Sequence, residues 1–307
     1  MADPLIVEVV RPGVRESTHV VDVAVIDEQG RLLAWSGDPE QLAAYRSSAK
    51  PLQARVSIEA GWVPPDSRAI AIACASHNGE PEHVSAVRAI LSECGLDESA
   101  LRCPADVPLY LPAVMGVRER APVFHNCSGK HAAMVAACKA AGWPLETYRD
   151  ADHPLQRAVA ALIGSVVGDV RATLVDGCGV PTLVAPLSAL ARGLLTVEGG
   201  PEVEAMRAHP FLVGGTDRLD TDLMTAAPEV LIKSGAEGLA CLSVAGIGIA
   251  LKTRDGAARA RGPAVLSVLE QLGLIDDGLL PRHREPPVLG GGEAVGVLRA
   301  HGTLGRA

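Results

Sequence analysis

The order in which strand-like and helix-like patterns follow one another constrains the fold of this chain most strongly. Residues 19–37 alternate between apolar and polar, turn at Glu28-Gln29-Gly30 and alternate again, which predicts a β-hairpin. Strand-like runs are prominent again near the other end, from residue 238 to residue 300, whereas helical patterns dominate the middle. Because strand runs and helix runs are separated, the sequence predicts an α+β fold with an antiparallel sheet.

The domain organisation follows from this separation. We expect one catalytic domain over residues 1–307, with an antiparallel sheet built from both termini and a helical lobe inserted between its halves. The sheet lobe is predicted over about 5–45 and 225–305, and the helical lobe over about 46–224. A chain of 307 residues is long enough to bury a core in each lobe.

Local patterns place the main elements. A helix is predicted to open near Ser47 and run toward Glu59, a second to start near Pro81, and an alanine-rich third to follow Gly129 and end at Gly142. Residues 173–194 predict a strand, a turn with glycines at its corners, and a helix. Residues 238–273 predict two strands, a turn at Asp255-Gly256, a further strand and a helix.

Charge and composition exclude several kinds of partner. The formal net charge is -8 and no basic block is present, which argues against a nucleic-acid partner. No run of about 18 apolar residues predicts a membrane span. The N-terminal stretch MADPLIVEVV lacks the basic region of a secretory signal, and the seven cysteines suit reduced thiols, so we predict a cytoplasmic protein.

The stretch YRSSAKPLQA, residues 45–54, places Ser47 and Lys50 three positions apart where a helix begins. Side chains at this spacing share one helix face and can meet. A neutral lysine amine can accept the proton of a serine hydroxyl as its oxygen attacks a carbonyl. Neutrality requires burial or a nearby cation, either of which lowers the pKa of the amine. Alone, the pattern equally fits a helix cap followed by a solvated lysine.

Two further motifs strengthen the hydrolase interpretation. The loop Ser76–Asn78 reads S-x-N, and Lys233–Gly235 reads K-S-G at a strand end. S-x-x-K, S-x-N and K-[ST]-G occur in this order in serine β-lactamases and penicillin-binding proteins. There the first motif supplies nucleophile and base, the second joins the proton relay, and the third brings a cation. Singly these are ordinary turns and strand ends; together they predict a serine hydrolase.

A second group of residues suits a metal ion. Cys127 and Lys130 lie three positions apart at a helix start, and Cys178 lies between glycines with Asp176 close by. Two thiolates can hold zinc, with a nearby histidine, His125 or His131, as a possible further ligand. Buried, inert cysteines are the alternative.

The stretch GGTDRLDTDLM, residues 214–224, gathers polar groups. Its Thr216, Arg218 and Thr221 can bind a carboxylate, and a capped helix start is the alternative interpretation.

Seven stretches together resemble one family. The chain is similar to the L-asparaginase II family of the Rhizobium etli type from about residue 5 to residue 300, in the stretches RSSAKPLQA, CASHNGEPEHV, HNCSGKHAAM, DGCGVPT, RLDTDLM, KSGAEG and GIALKTRDG. The resemblance implies hydrolysis of L-asparagine to L-aspartate and ammonia. It also implies a fold like that of serine β-lactamases and glutaminases, and a homodimer.

The resemblance also implies roles for individual residues. A first Ser–Lys pair matches Ser47 and Lys50. The serine of a second pair matches Ser76, and its lysine matches Lys233, with Lys252 as the alternative. A zinc ion held by two cysteines and a lysine matches Cys127, Lys130 and Cys178, with Asp176 near the metal. The remaining predicted substrate-binding residues are Ser48, His77, Asn78, Arg218 and Lys252.

The leading prediction is therefore a serine amidohydrolase acting on a small molecule, L-asparagine, with zinc as cofactor. A β-lactam-recognising serine hydrolase uses the same chemistry, although its targets are extracytoplasmic and no signal peptide is evident. A non-catalytic binding protein stapled by zinc is the alternative from a different class.

Overall fold

The computed structural model describes residues 2–307. The strands are β1 Leu5–Arg11, β2 Val14–Ile26, β3 Leu32–Ser36, β4 Leu42–Ala44, β5 Ala172–Val175, β6 Pro181–Pro186, β7 Leu231–Ser234, β8 Leu239–Val244, β9 Ile247–Thr253, β10 Pro287–Gly290, β11 Glu293–His301 and β12 Gly305–Arg306. The helices are α1 Lys50–Glu59, α2 Ser67–Ala73, α3 Pro81–Glu93, α4 Leu111–Val114, α5 Ser128–Ala141, α6 Pro154–Val167, α7 Leu187–Leu190, α8 Arg192–Val197, α9 Pro201–Ala208, α10 Pro210–Val213, α11 Leu219–Ala226, α12 Arg261–Gln271 and α13 Pro281–Arg284.

The described residues fall into two compact units. The sheet unit comprises the residues up to Ser48, Ala185–Thr196 and Ala226–Ala307, and the helical unit comprises Ala49–Val184 and Val197–Thr225. These boundaries differ from the predicted ones mainly at 185–196, which belongs to the sheet unit. That segment is fixed there by hydrogen bonds from Leu187 N to Gln41 O and from Ser188 N to Pro39 O, contacts that local sequence patterns do not encode.

The sheet unit is built on a nine-stranded antiparallel sheet with the central order β10-β11-β1-β2-β9-β8-β7. The long strand β2 pairs with β1 over its first half and with β9 and β3 over its second half. Strand β8 and the terminal strand of this order, β7, are buried throughout. Helix α12 packs against β1, β8, β9 and β11. The predicted α+β class, with an antiparallel sheet drawn from both ends of the chain, is confirmed.

The helical unit is organised around α5. Every residue from Ser128 to Cys138 is buried, which explains why this helix is rich in alanine: small side chains let α1, α2 and α3 pack against it from several sides. The helix ends where predicted, at Gly142, whose φ of +69° forms a left-handed cap.

One predicted element is wrong and one strand was missed. The strand, turn and helix predicted over 173–194 are present, but a second strand, β6, lies between the turn and the helical residues, and its residues 181–184 pair with β5. The strand expected after the Asp255-Gly256 turn is a short 3-10 turn, Ala258–Ala260, that leads directly into α12.

Gly129 gives the first testable prediction. A Cβ atom at this position of α5 would lie 2.1 Å from the carbonyl oxygen of Ile72 at the end of α2. Because backbone must move to relieve such a contact, Gly129→Ala should lower the free energy of unfolding by about 2 to 3 kcal/mol. Urea unfolding of the purified variant measures this loss.

Gly164 in α6 is the matched control for this prediction. A Cβ atom there would meet only Val170 Cγ2, at 4.0 Å. Gly164→Ala should therefore stabilise the protein slightly, by up to about 1 kcal/mol, through helix propensity. Equal effects of the two substitutions would show that the Gly129 contact is not tight.

No helix among residues 2–307 combines the length and the apolar character needed to cross a lipid bilayer.

Candidate active site

The side chain of Lys50 is the centre of the candidate site in the helical unit. Lys50 is the first residue of α1 and is fully buried. Its Nζ lies 3.0 Å from Ser76 Oγ and 3.3 Å from the Asn126 carbonyl oxygen, and it donates a further hydrogen bond to the Ala75 carbonyl. A neutral amine has two hydrogens and one lone pair. The two carbonyls suit its two hydrogens, and the lone pair can then accept the hydroxyl proton of Ser76.

The electrostatic surroundings favour that neutral form. Burial lowers the pKa of Lys50, the sulfur of Cys127 opposes this shift, and the positive charge of Lys130 reinforces it. Lys130 thus adds a like charge from within the helical unit, and a further one from Lys233 or Lys252 stays a prediction.

Ser47 lies in the sheet unit, in the 3-10 turn Arg46–Ala49 that leads into α1. Its side chain is half-buried, whereas Ser48 is fully buried and donates its hydroxyl to the Lys233 carbonyl oxygen at 2.8 Å. The residue before the pair, Arg46, has a φ of +48°, an unusual backbone conformation for a side chain of this size. The turn therefore buries one serine and leaves the other accessible.

The loop that carries Ser76 is fixed by backbone and side-chain hydrogen bonds. Ser76 N donates to Val213 O at 3.0 Å and Asn78 N donates to Gly214 O at 2.9 Å. His77 is fully buried; its Nδ1 accepts from Gly79 N and its Nε2 lies 3.0 Å from Ser128 Oγ. Burial holds the pKa of His77 well below its usual value. Its ring thus joins the loop to α5 with both nitrogens engaged, an arrangement that suits positioning of the loop more than contact with substrate.

Arg218 and Asn78 come together in the helical unit. Arg218 Nη1 donates to Asn78 Oδ1 at 3.0 Å. Asn78 is buried, and Arg218 is half-buried. The sequence analysis predicted these two residues from separate stretches, and the structure joins them in one polar cluster. Asn78 holds the guanidinium of Arg218, a group that can pair with a carboxylate.

Cys127, Lys130 and Cys178 also come together in the helical unit. All three are buried, and Lys130 Nζ donates to Cys178 Sγ at 3.0 Å. A hydrogen bond from Cys127 lowers the pKa of Cys178 far below its usual value, and the charge of Lys130 contributes to the same shift. Burial alone would lower the pKa of Lys130, but the sulfurs of Cys178 and Cys127 raise it above its usual value. A buried thiolate–ammonium pair results.

This donor set fits zinc by its chemistry. Two soft thiolate sulfurs together with a nitrogen favour zinc over magnesium or calcium. The carboxylate of Asp176 lies 3.8 Å from Cys178 Sγ. Within residues 2–307 no three His, Cys, Asp or Glu side chains are grouped to hold a metal ion, and the Lys130 amine would be the third ligand of this set. His131 Nε2 is buried without a hydrogen-bond partner, and Cys178 is among the groups that act on its pKa.

The two remaining predicted lysines lie in the sheet unit. Lys233, on β7, is fully buried and its Nζ donates to the Ser234 carbonyl at 2.8 Å. Lys252, on β9, is half-buried and donates to the Thr253 carbonyl. Burial lowers the pKa of Lys252, whereas Glu237 opposes the shift. Both lysines thus remain candidates for the second Ser–Lys pair.

The site contains residues that the sequence analysis missed. Glu80 and the carbonyls of Ala75 and Asn126 contact the predicted residues Asn78 and Lys50. The carbonyls leave no signal in a sequence, since every residue has one. Glu80 lies two residues after the S-x-N motif in the sequence, where it can be read simply as a helix cap. Its hydrogen bonds from Thr216, which only the structure shows, indicate a further role.

A buried lysine amine on a serine hydroxyl, in an α+β protein, is an arrangement typical of hydrolases that transfer an acyl group to serine. The family model of L-asparaginase II matches residues 7–300, and the chain belongs to this family. Membership supports an amidohydrolase role for the protein.

Comparison with individual proteins adds less. A search of curated proteins found no match to the chain. Among solved structures, the chain is similar to a β-lactamase from Desulfarculus baarsii DSM 2075, with 15% identity and a TM-score of 0.31 over 77% of this chain and 84% of that one.

Proposed function

We propose that this protein hydrolyses the side-chain amide of L-asparagine to L-aspartate and ammonia. The observation that carries the proposal is the contact between the buried Lys50 amine and the Ser76 hydroxyl, in a chain of the L-asparaginase II family. An amine held in this way is a general base available to serine chemistry.

In the proposed mechanism Ser47 Oγ attacks the side-chain carbonyl carbon of asparagine. Lys50 takes the proton, with Ser76 as the hydroxyl that relays it, and the proton is delivered to the leaving nitrogen so that ammonia departs. Water, deprotonated by the same relay, then cleaves the ester and returns Ser47 with aspartate. Backbone N–H groups at the start of α1 are suited to hold the oxyanion.

The substrate would be anchored by its charged end. Arg218, held by Asn78, is the proposed partner of the α-carboxylate, because a guanidinium matches a carboxylate with two parallel hydrogen bonds. Lys233 or Lys252 is proposed as the second cation of the site. From the family resemblance we further propose a homodimer, which light scattering of the purified protein tests, and from the cysteines and the N-terminal stretch a cytoplasmic location.

We propose that zinc is held by Cys127, Lys130 and Cys178, with Asp176 beside them. When bound there, the ion would supply a fixed positive charge and join the loop before α5 to the turn after β5. Loading requires Lys130 to lose its proton, so binding should release protons and weaken as the pH falls.

The zinc proposal is tested by elemental analysis. Purified wild-type protein should carry about one zinc per chain, and Cys178→Ser should lose it, because a thiolate contributes much of the affinity for zinc. The matched control is Cys94→Ser, a half-buried thiol of the helical unit that should leave the zinc content unchanged. Wild-type protein without metal would contradict the proposed site, and full activity after chelation would remove any catalytic role.

Ammonia release tests the activity itself. Purified protein should release ammonia from L-asparagine and leave a β-lactam ring intact. Turnover of a β-lactam without ammonia release would favour the β-lactam-recognising alternative. Zinc binding with no turnover of either compound would favour a non-catalytic binding protein.

A further inference from the structure

Glu80 carries a buried carboxylate for which the proposed mechanism has no use. Glu80 is only 7% exposed, and its carboxylate accepts hydrogen bonds from Thr216, from Asn78 and from the backbone of His83. Thr216 N donates to Oε1 at 2.8 Å, Thr216 Oγ1 donates to Oε2 at 2.7 Å, and Asn78 Nδ2 donates to Oε1 at 3.1 Å. Burying a carboxylate costs free energy unless hydrogen bonds compensate for the lost water. The donors around Glu80 therefore hold its carboxylate in one orientation.

The carboxylate determines which way the Asn78 amide points. Asn78 Nδ2 donates to Glu80 Oε1 and also to the Thr216 carbonyl at 2.8 Å, so two acceptors hold the NH₂ end of the amide. The opposite end, Oδ1, is then turned toward Arg218 and accepts from its Nη1 at 3.0 Å. An inverted amide would present an NH₂ group to the guanidinium, and two donors cannot bond.

The backbone is shaped to allow this contact. Gly215 has a φ of +111°, and a Cβ atom there would lie 2.5 Å from Glu80 Oε1 and 2.8 Å from Asn78 Nδ2. Only glycine therefore lets the segment that carries Thr216 and Arg218 approach the loop of Ser76.

A helix cap is the simpler explanation for Glu80. The residue precedes α3 and forms a capping box with His83: the Glu80 side chain accepts from the His83 backbone N–H, and the Glu80 backbone N–H donates to His83 Nδ1. However, shorter side chains such as Ser and Asp are the preferred caps, and a cap has no need for the bonds that Glu80 makes to Thr216. The longer side chain reaches across to the segment of Arg218.

We propose that Glu80 is a positioning residue that orients Arg218, through Asn78, to receive the α-carboxylate of the substrate. The proposal rests on the proposed asparagine hydrolysis and adds the residue that fixes the specificity contact for an α-amino acid amide. Glu80 touches no reacting atom and acts on KM through Arg218.

The test compares two substrates in Glu80→Gln. The glutamine can turn its NH₂ group toward Asn78. The NH₂ group of Asn78 then loses an acceptor, so its amide is no longer held in one orientation. KM for asparagine should rise about tenfold, as for loss of one hydrogen bond to a charged group, while kcat changes less than about threefold. With 3-aminopropanamide, which is asparagine without its α-carboxylate, kcat/KM should be the same in the variant and in wild type. If kcat/KM falls equally for both substrates, Glu80 is a structural residue and the proposal is overturned.

A double-mutant cycle tests the route of action. Arg218→Ala should raise KM for asparagine, and adding Glu80→Gln should raise it no further, because both changes remove the same contact. Additive effects would contradict a route through Arg218. The matched control is Glu202→Gln, which removes a fully buried carboxylate paired with Arg55 at 2.8 Å in the same unit. It should lower stability without changing KM.

The outcome separates this proposal from the proposed function. If wild type releases no ammonia from asparagine, the proposed activity fails; calorimetric binding of L-aspartate to wild type and to Glu80→Gln then decides the present proposal. Weaker binding by the variant supports it, and equal binding or none by either protein overturns it. If wild type is active and the Glu80→Gln kinetics match it, the activity stands and the positioning role is wrong.

Discussion

Ser47→Ala should lower kcat for asparagine hydrolysis by about 10³-fold or more, the size of loss expected when a nucleophile is removed. Ser47 is the accessible serine of the turn before α1, and its neighbour Ser48 is buried with its hydroxyl on the Lys233 carbonyl. Ammonia release by purified variant and wild type measures the change. Mass spectrometry after rapid acid quenching should find the aspartyl adduct on the peptide that contains residue 47.

The matched control is Ser57→Ala. Ser57 is a buried serine of α1 whose hydroxyl donates to the Gln53 carbonyl at 3.1 Å. It has no part in the proposed mechanism. It should keep the wild-type rate. If Ser47→Ala retains more than about a tenth of the wild-type rate while Ser76→Ala does not, the nucleophile is Ser76.

Lys50→Met should have the second large effect, a loss of about 10²- to 10⁴-fold in kcat/KM, as is typical for removing a general base. Methionine fills most of the buried volume of the lysine stem but cannot accept a proton. The protein should remain folded, because burying a thioether costs less than burying an amine. Circular dichroism and the unfolding midpoint check the fold alongside the rate.

The pH dependence of kcat/KM in the wild type also tests Lys50 as the general base. Lys50 is a base only when neutral, and burial places its pKa below the ordinary 10.5. Therefore kcat/KM should rise with pH as the amine loses its proton, with the midpoint of the rise below pH 10.5. Lys50→Met should lack this limb. A wild-type profile that is flat from pH 5 to pH 10.5 would contradict a lysine base.

Two lysines of the sheet unit remain to be assigned by the same measurement. If Lys233 or Lys252 also repels the charge on Lys50, its replacement by methionine lets the pKa of Lys50 rise. The limb should then move to higher pH in that variant alone. If neither variant moves the limb, the surroundings of Lys50 within the helical unit, burial above all, account for the neutral amine.

The sequence by itself determined the features that depend on neighbours in the chain. Alternation and a turn at Gly30 gave the β2–β3 hairpin, and the alanine-rich run with Gly142 gave α5 and its end. The spacing of Ser47 and Lys50 predicted a Ser–Lys pair, and Cys127 and Cys178 were predicted as metal ligands, from short stretches of sequence in the same way. Periodicity and capping act over one or two turns, so a linear sequence records them directly.

Only the tertiary structure decided which of these residues meet. Lys50 lies against Ser76, 26 residues away, and Lys130 against Cys178, 48 residues away. Residues 181–186 form a strand, β6, that pairs with β5, whereas the local pattern of 173–194 predicted one strand and a helix. Glu80 gained its significance from Thr216, 136 residues later. Such contacts depend on the path of the whole chain and on the free-energy cost of burying each polar side chain. A local sequence pattern contains neither.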